Sequence, residues 1–358
     1  MVSCCCARCV SEAGFSWVGW CAGGVTVGAA RVTRRGFLLG GAALLALPGT
    51  ALASTAPEIA DCAAWGARPN SRVVNVVTQR PVKILVHHTA TPNVTDLSRG
   101  AADALARGIQ NFHMDRRGWL DSGQHFTISR GGFVLEGRHR SLEALRSGHK
   151  QVEGAHCTGQ NLVSVGIENE GTYTDTEPTG VLWDRLREMC AYICAQYGIA
   201  PTEIYGHRDF KDTLCPGDVL YGMLPRLRGE VGGMLGRRLE GSSVRAASWP
   251  VLREADRGPV VRAAQHLLRG AGRTEVAVDG DFSAAMAESV RVFQAEHATE
   301  EVNGIIGGET WPLLAAPVRA GDGGEAAEAV ETLVATSSTR PPSQVGPVQW
   351  QQLLTAAR

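Results

Sequence analysis

Two adjacent histidines, His87 and His88, close the apolar segment VKILVHHTA, and far downstream GHRDFKDTLCPGD supplies His207 and Cys215. Imidazole and thiolate are common donors to catalytic zinc, which takes three protein ligands and keeps a fourth position open. Two neutral histidines and one thiolate leave a net charge of about +1 and room for a water. If VKILVHHTA is a strand, neighbouring side chains point to opposite faces, so only one of the paired histidines reaches a given metal. Spacing alone leaves the choice open, and singly each residue also reads as a hydrogen-bonded core histidine or a buried thiol.

Such a set needs a rigid framework. Between residues 58 and 235 short apolar runs alternate with helical patterns, which predicts an α/β fold with a central mixed β-sheet flanked by helices. VKILVHHTA and SVGIENEG read as strands, QHFTIS and GGFVLEGR as a hairpin, and LSRGAADALARGIQNFHMDRRG and TGVLWDRLREMCAYICAQYG as helices. Residues 236–248 are small and polar without periodicity and read as a linker. Residues 249–316 predict three short helices joined by glycine-centred turns, a small C-terminal three-helix domain. Residues 317–358 form a degenerate partial repeat of it, since Val318-Arg319, Asp322, Gly324 and Leu333 fall over Leu252-Arg253, Asp256, Gly258 and Leu267 at a fixed offset.

The chain has 358 residues and a formal net charge of −1, with 44% hydrophobic and 20% charged residues. That balance provides no basic field for nucleic acid. Residues 1–53 read as a leader and twin-arginine-type signal peptide: Arg34-Arg35 and Phe37-Leu38 precede a short apolar run ending in Ala51-Leu52-Ala53. Cleavage near Ser54 is expected, giving a secreted or cell-wall protein with no stable membrane anchor. Residues 1–32 fit neither signal nor fold, and translation is expected to begin at a valine such as Val32.

Past the signal the cysteines are Cys62, Cys157, Cys190, Cys194 and Cys215, an odd number for an oxidising compartment. Cys190 and Cys194 share one helical face without being able to bridge each other. The expectation is therefore that Cys62 and Cys157 cross-link to that helix, in either pairing, leaving Cys215 free as a thiolate.

The ordered motifs VHHTA, DSGQHF, EGRH, GAHCTGQN, VGIENEG and GHRDFKDTLCPGD resemble the peptidoglycan recognition protein and phage-type N-acetylmuramoyl-L-alanine amidase family. The resemblance implies zinc held by His87, His207 and Cys215, with His156 in the substrate groove and Thr213 at the oxyanion. It further implies that Glu168 is the catalytic base, although Glu168 alone also reads as a salt-bridged strand residue. Catalytic members of the recognition branch carry tyrosine in the motif that here reads DSGQHF, so Gln124 departs from the pattern at a substrate-binding position. An amide donates a hydrogen bond but does not exchange a proton usefully. The implied reaction is hydrolysis of the lactyl-L-alanine amide of peptidoglycan by a zinc-activated water; the alternative is a non-catalytic peptidoglycan-binding protein. RGPVVRAAQHLL, VDGDF, VRVFQ and GETW resemble the peptidoglycan-binding domain family, which implies a tether to the wall.

Overall fold

The computed structural model describes residues 56–239, 248–338, 340 and 342–358. Residues 1–53, expected to be a leader and signal peptide, and most of the expected linker lie outside the described residues.

The apolar run of β3 (Lys83–His88) is buried on both faces, as expected of a strand central in a sheet. Around it the order is β1 (Ile59–Ala60), β5 (Val134–Glu136), β4 (Phe126–Ile128), β7 (Ser164–Asn169), β3 and β8 (Ile204–Gly206). β4 and β5 are the antiparallel hairpin; β4, β7, β3 and β8 run parallel to one another. The sheet is thus mixed, as the sequence predicts. A separate antiparallel pair joins β2 (Val76–Val77) and β6 (Gln151–Val152).

Helices cover this sheet. α1 (Arg99–Asn111) starts where the Ser98 hydroxyl accepts from the Ala101 N–H and runs into a π-helical turn at Phe112–Arg116. α2 (Ser141–Ser147) is short; α3 (Gly180–Tyr197) is capped by Thr179 and stopped by Gly198 in the left-handed region. α3 buries Leu182, Leu186, Met189, Cys190, Ile193 and Cys194 in the main core with Ile84, Val86, Ile128 and Ile167. α4 (Asp218–Gly222) and α5 (Leu224–Met234) complete this part. Among the described residues no helix is long and apolar enough to cross a membrane.

The C-terminal part contains α6 (Pro259–Gly270), α7 (Ala284–Glu296) and α8 (Thr310–Leu314), the three helices expected. Residues 317–358 add β9 (Val318–Arg319), α9 (Glu325–Ser337), β10 (Gln344–Val345) and α10 (Pro347–Ala356). One apolar cluster unites the two segments, with Leu267, Phe293 and Trp311 from the first and Leu333, Trp350 and Leu354 from the second. The second segment thus packs on the first and shares its core.

One expectation fails. All five cysteines of the described chain are free, and no disulfide links Cys62 or Cys157 to α3. Cys62 lies in a separate cluster with Trp65, Ala102 and Leu135, its thiol directed at the carbonyls of Glu136 and Gly137. Helical spacing showed which cysteines share a face, but not that the face turns into an apolar core away from the other two.

Candidate metal centre and groove

The parallel strands β3, β7 and β8 end on the same side of the sheet, and ligands in such sheets gather at the carboxyl ends of strands. His87 is the next-to-last residue of β3, Glu168 the next-to-last of β7, and His207 follows β8 directly. His87 and Glu168 are register partners in the β3–β7 ladder, so both side chains leave the same face side by side. Thr127 of β4 is the partner of Glu168 on its other side.

The donor atoms of His87, His207 and Cys215 lie within 4.8 Å of one another. His87 Nδ1 is 3.7 Å from Cys215 Sγ, and its Nε2 is 3.0 Å from His156 Nδ1. A metal at Nδ1 requires the proton on Nε2, which can then donate to His156, the kind of outer hydrogen bond that fixes the tautomer of a ligating histidine. His156 is therefore placed behind His87 as well as on the groove wall. The pleat sends His88 the other way, where its Nδ1 accepts from the Tyr173 N–H at 3.3 Å.

The electrostatics suit a cation. Burial, reinforced by neighbouring imidazoles, holds His87 and His156 well below the usual histidine range, and burial lowers His207 to about 4. All three are neutral near pH 7, with lone pairs free of proton competition. Burial pushes the Cys215 thiol well above its ordinary value, and the charge of Glu168 adds to this; the backbone N–H of His88, 3.4 Å from Sγ, acts oppositely. In these surroundings it takes a cation to make the thiolate the favoured form. The set fits a divalent metal with two imidazoles, one thiolate and an open side.

That side faces a cavity of about 450 Å³ lined by His87, His156, Glu168, His207, Thr213 and Cys215, with Gln124 and Trp119 at its edge. Glu168 Oε2 is buried without a partner, and burial raises the carboxyl to about 8. Glu170 is engaged elsewhere, accepting from the Arg130 N–H at 2.7 Å. Thr213 Oγ1 accepts from the Cys215 N–H at 3.2 Å, which leaves its own hydrogen free. Gln124 Nε2 donates to Thr127 Oγ1 at 2.9 Å, and its Oε1 is buried and unpartnered. The amide thus offers the groove an acceptor, where the sequence reading anticipated a donor.

No sequence motif gives His113, His125, His139 or His149 a role, and the default for such residues is a surface or hydrogen-bonded histidine. His113 lines both this cavity and the adjoining one beneath α1, which also contains Thr89, Leu105, Phe112 and Glu168. Its Nδ1 accepts from the Gly123 N–H and its ring lies 4.6 Å from that of Trp119. His113 sits in the π turn Phe112–Arg116 that prolongs α1, a feature frequent at functional sites but not visible in the sequence FHMDRRGW. The other three fit the default: His125 holds Val152 O and the Gly166 N–H, His139 pairs with Asp121, and His149 bonds Ser147 O.

His87, Glu168, His207 and Cys215 all fall within a segment that is similar to known proteins. Residues 78–218 match the N-acetylmuramoyl-L-alanine amidase family, and residues 257–314 match the peptidoglycan binding domain family. The human N-acetylmuramoyl-L-alanine amidase is 34% identical over 173 residues, covering 47% of this chain and 28% of that protein. The chain thus spans under a third of the human enzyme. Peptidoglycan recognition protein 1 of Bos indicus is 30% identical over 180 residues, covering 50% of this chain and 88% of that protein. The solved structure of Drosophila PGRP-LB, 28% identical, covers 47% of this chain and 92% of its own, with a TM-score of 0.41. With nearly the whole length of a recognition protein aligned at this identity, the chain belongs to the family of peptidoglycan recognition proteins and N-acetylmuramoyl-L-alanine amidases.

Proposed function

We propose that the chain is a secreted, zinc-dependent N-acetylmuramoyl-L-alanine amidase that hydrolyses the lactyl-L-alanine amide of peptidoglycan. The observation that carries this is the convergence of the His87, His207 and Cys215 donor atoms beside an unpartnered Glu168 carboxylate oxygen in one cavity. Zinc held by the three ligands supplies Lewis acidity at the scissile carbonyl and a positive field that favours ionised neighbours. Glu168, which burial raises to about 8, would be ionised beside such a charge and so available as a base.

The chain's own groups then divide the work. Gln124 Oε1 and Glu168 Oε2 are two acceptors in one groove, suited to hold both protons of the attacking water. Glu168 takes a proton as the water attacks and returns it to the departing L-alanine amine. Thr213, with its hydroxyl hydrogen free, donates to the developing oxyanion. His156 keeps the His87 ring oriented and forms part of the groove wall. Export follows from the twin-arginine-type signal before Ser54, and residues 249–358 direct the enzyme to the wall.

The test is the release of free amino groups from purified peptidoglycan, with and without chelator, alongside the zinc content of wild type and Cys215→Ala. Metal-dependent release that Cys215→Ala abolishes together with zinc supports the reading. The second reading, a non-catalytic recognition protein, draws on Gln124 standing where a tyrosine is expected; wall binding with no amine release from zinc-loaded protein would decide for it.

A further inference from the structure

A domain that merely tethers an enzyme needs no contact with the catalytic groove, yet here the C-terminal part grips the loop between two of the metal ligands. The side chain of Asp212, fully buried, is received by the start of α8: its Oδ1 accepts from the N–H groups of Gly307 (2.7 Å), Thr310 (3.0 Å) and Glu309 (3.2 Å). Asn303 Nδ2 donates to the Asp212 carbonyl at 2.6 Å, and Lys211 pairs with Glu300 and Glu309 at 2.7 and 3.3 Å. Gly308 approaches so closely that a Cβ there would lie 2.4 Å from the backbone carbon of Asp209. The next residue after Asp212 is Thr213, and Cys215 follows two further on. This docking carries Asn303 and Ile305 to the groove, where both line the same cavity as Glu168 and Thr213.

We infer that the C-terminal domain is a wall of the amidase groove, with Ile305 as a specificity-determining residue that contacts the substrate beside the scissile amide. Asn303 spends its side chain internally, on Asp212 and on the Ile305 N–H, so the wall presents chiefly the half-buried Ile305 side chain. An apolar surface of this size suits an uncharged alkyl portion of a muramoyl-peptide, such as the lactyl or alanyl methyl groups, more than a carboxylate. Asp212 acts as a positioning residue that holds the wall in place.

This inference rests on the amidase reading, and a small soluble muramoyl-peptide separates the two, since a tether gives no advantage on a substrate that is not anchored. In the full zinc-loaded chain, Ile305→Ala removes apolar contact and should raise KM by about tenfold with kcat nearly unchanged. Gly308→Ala, which forces the two backbones apart, should lower kcat/KM on the same substrate by at least as much. Zinc content and pull-down on whole cell walls should stay at wild-type levels in Ile305→Ala. Unchanged KM in both variants, with losses confined to whole cell walls, would overturn the wall and leave a tether. If the wild type cleaves nothing, the amidase reading has failed by itself. Calorimetric affinity for the soluble muramoyl-peptide then decides the wall: a tenfold weakening in Ile305→Ala upholds it and an unchanged affinity refutes it.

Discussion

Asp212→Ala measures how firmly the two parts of the chain are joined. The carboxylate receives five hydrogen bonds: three from the backbone N–H groups of Gly307, Glu309 and Thr310, and two from the Thr310 hydroxyl and Gln294 Nε2 at 2.5 and 3.2 Å. On its removal Gln294 keeps the Ile305 carbonyl and the Thr310 hydroxyl as partners, so the stranded groups are chiefly the three N–H donors that open α8. A buried donor left unsatisfied costs about 1–3 kcal/mol, and water can enter the space vacated by the carboxylate, so the low end applies to each and the sum is about 3 kcal/mol. With a urea slope of about 3 kcal/mol/M for a chain of this size, the midpoint should fall by about 1 M. Followed by tryptophan fluorescence, Trp249, Trp311 and Trp350 of the C-terminal core and Trp65 and Trp183 of the other part should report that lowered midpoint. Asp212→Asn keeps an acceptor oxygen for the three N–H groups and should recover most of the loss. Burial holds the Asp212 carboxyl above its ordinary value, so ionising it costs the folded state, and the amide avoids that cost at neutral pH. A midpoint within about 0.2 M of wild type in the alanine variant would refute the clamp.

Three further outcomes follow from the geometry. A Cβ on Gly166 would lie 2.6–2.7 Å from the His156 ring, so Gly166→Ala should displace that ring from His87 and weaken zinc binding by about 10–100-fold in a competition titration; wild-type affinity would count against the outer hydrogen bond. Glu168→Gln should retain zinc but lose about 10²–10⁴ in kcat on soluble muramoyl-peptide, and a loss under about twofold would remove Glu168 from the mechanism. The Asp121 carboxylate, 2.8 Å away, holds His139 above the histidine reference of 6.5, while Asp121 itself is held below 3.8, its burial outweighed by hydrogen bonds led by that from His139. The His139 contribution to stability is therefore complete below its unfolded pKa and fades as pH rises through the raised folded one. The Asp121 contribution is lost as pH falls through its depressed value. Denaturant midpoints of wild type and His139→Gln should differ most between these limits and converge at alkaline pH, and a difference that grows toward pH 9 would contradict the pairing.

Local pattern made much of this legible. A strand buried on both faces reads as an unbroken apolar run, which is how β3 shows itself, and hairpin alternation gave β4 and β5. Motif order named the residues that β3, β7 and β8 bring together, because parallel strands ending on one side turn distant histidines into neighbours. What stayed hidden depends on contacts between segments with no shared periodicity. Nothing in the sequence around Asp212 indicates that α8, nearly a hundred positions on, is capped by it. The cysteines misled for a related reason: export predicts an oxidising environment, but a disulfide also requires apposed cysteines, and Cys62 belongs to a different apolar cluster from Cys190 and Cys194.

Gln124 shows how the structure alters the question the sequence raised. A tyrosine at this position would bring a hydroxyl that both donates and accepts, whereas the glutamine gives its donor end to Thr127 and keeps a bare acceptor in the groove. On the proposed amidase reading, an acceptor here would oppose an oxyanion but suit the proton of a water, which would make this position one that orients the nucleophile. On the same reading oxyanion donation would fall to Thr213, whose Oγ1 accepts from the Cys215 N–H and whose backbone neighbour Asp212 is clamped by the C-terminal part. Losing a donor at Gln124 is tolerable only where the remaining donor is rigidly placed. If Thr213 is that donor, the docking of Asp212 would provide its rigidity, and the glutamine and the interdomain clamp would belong to one arrangement.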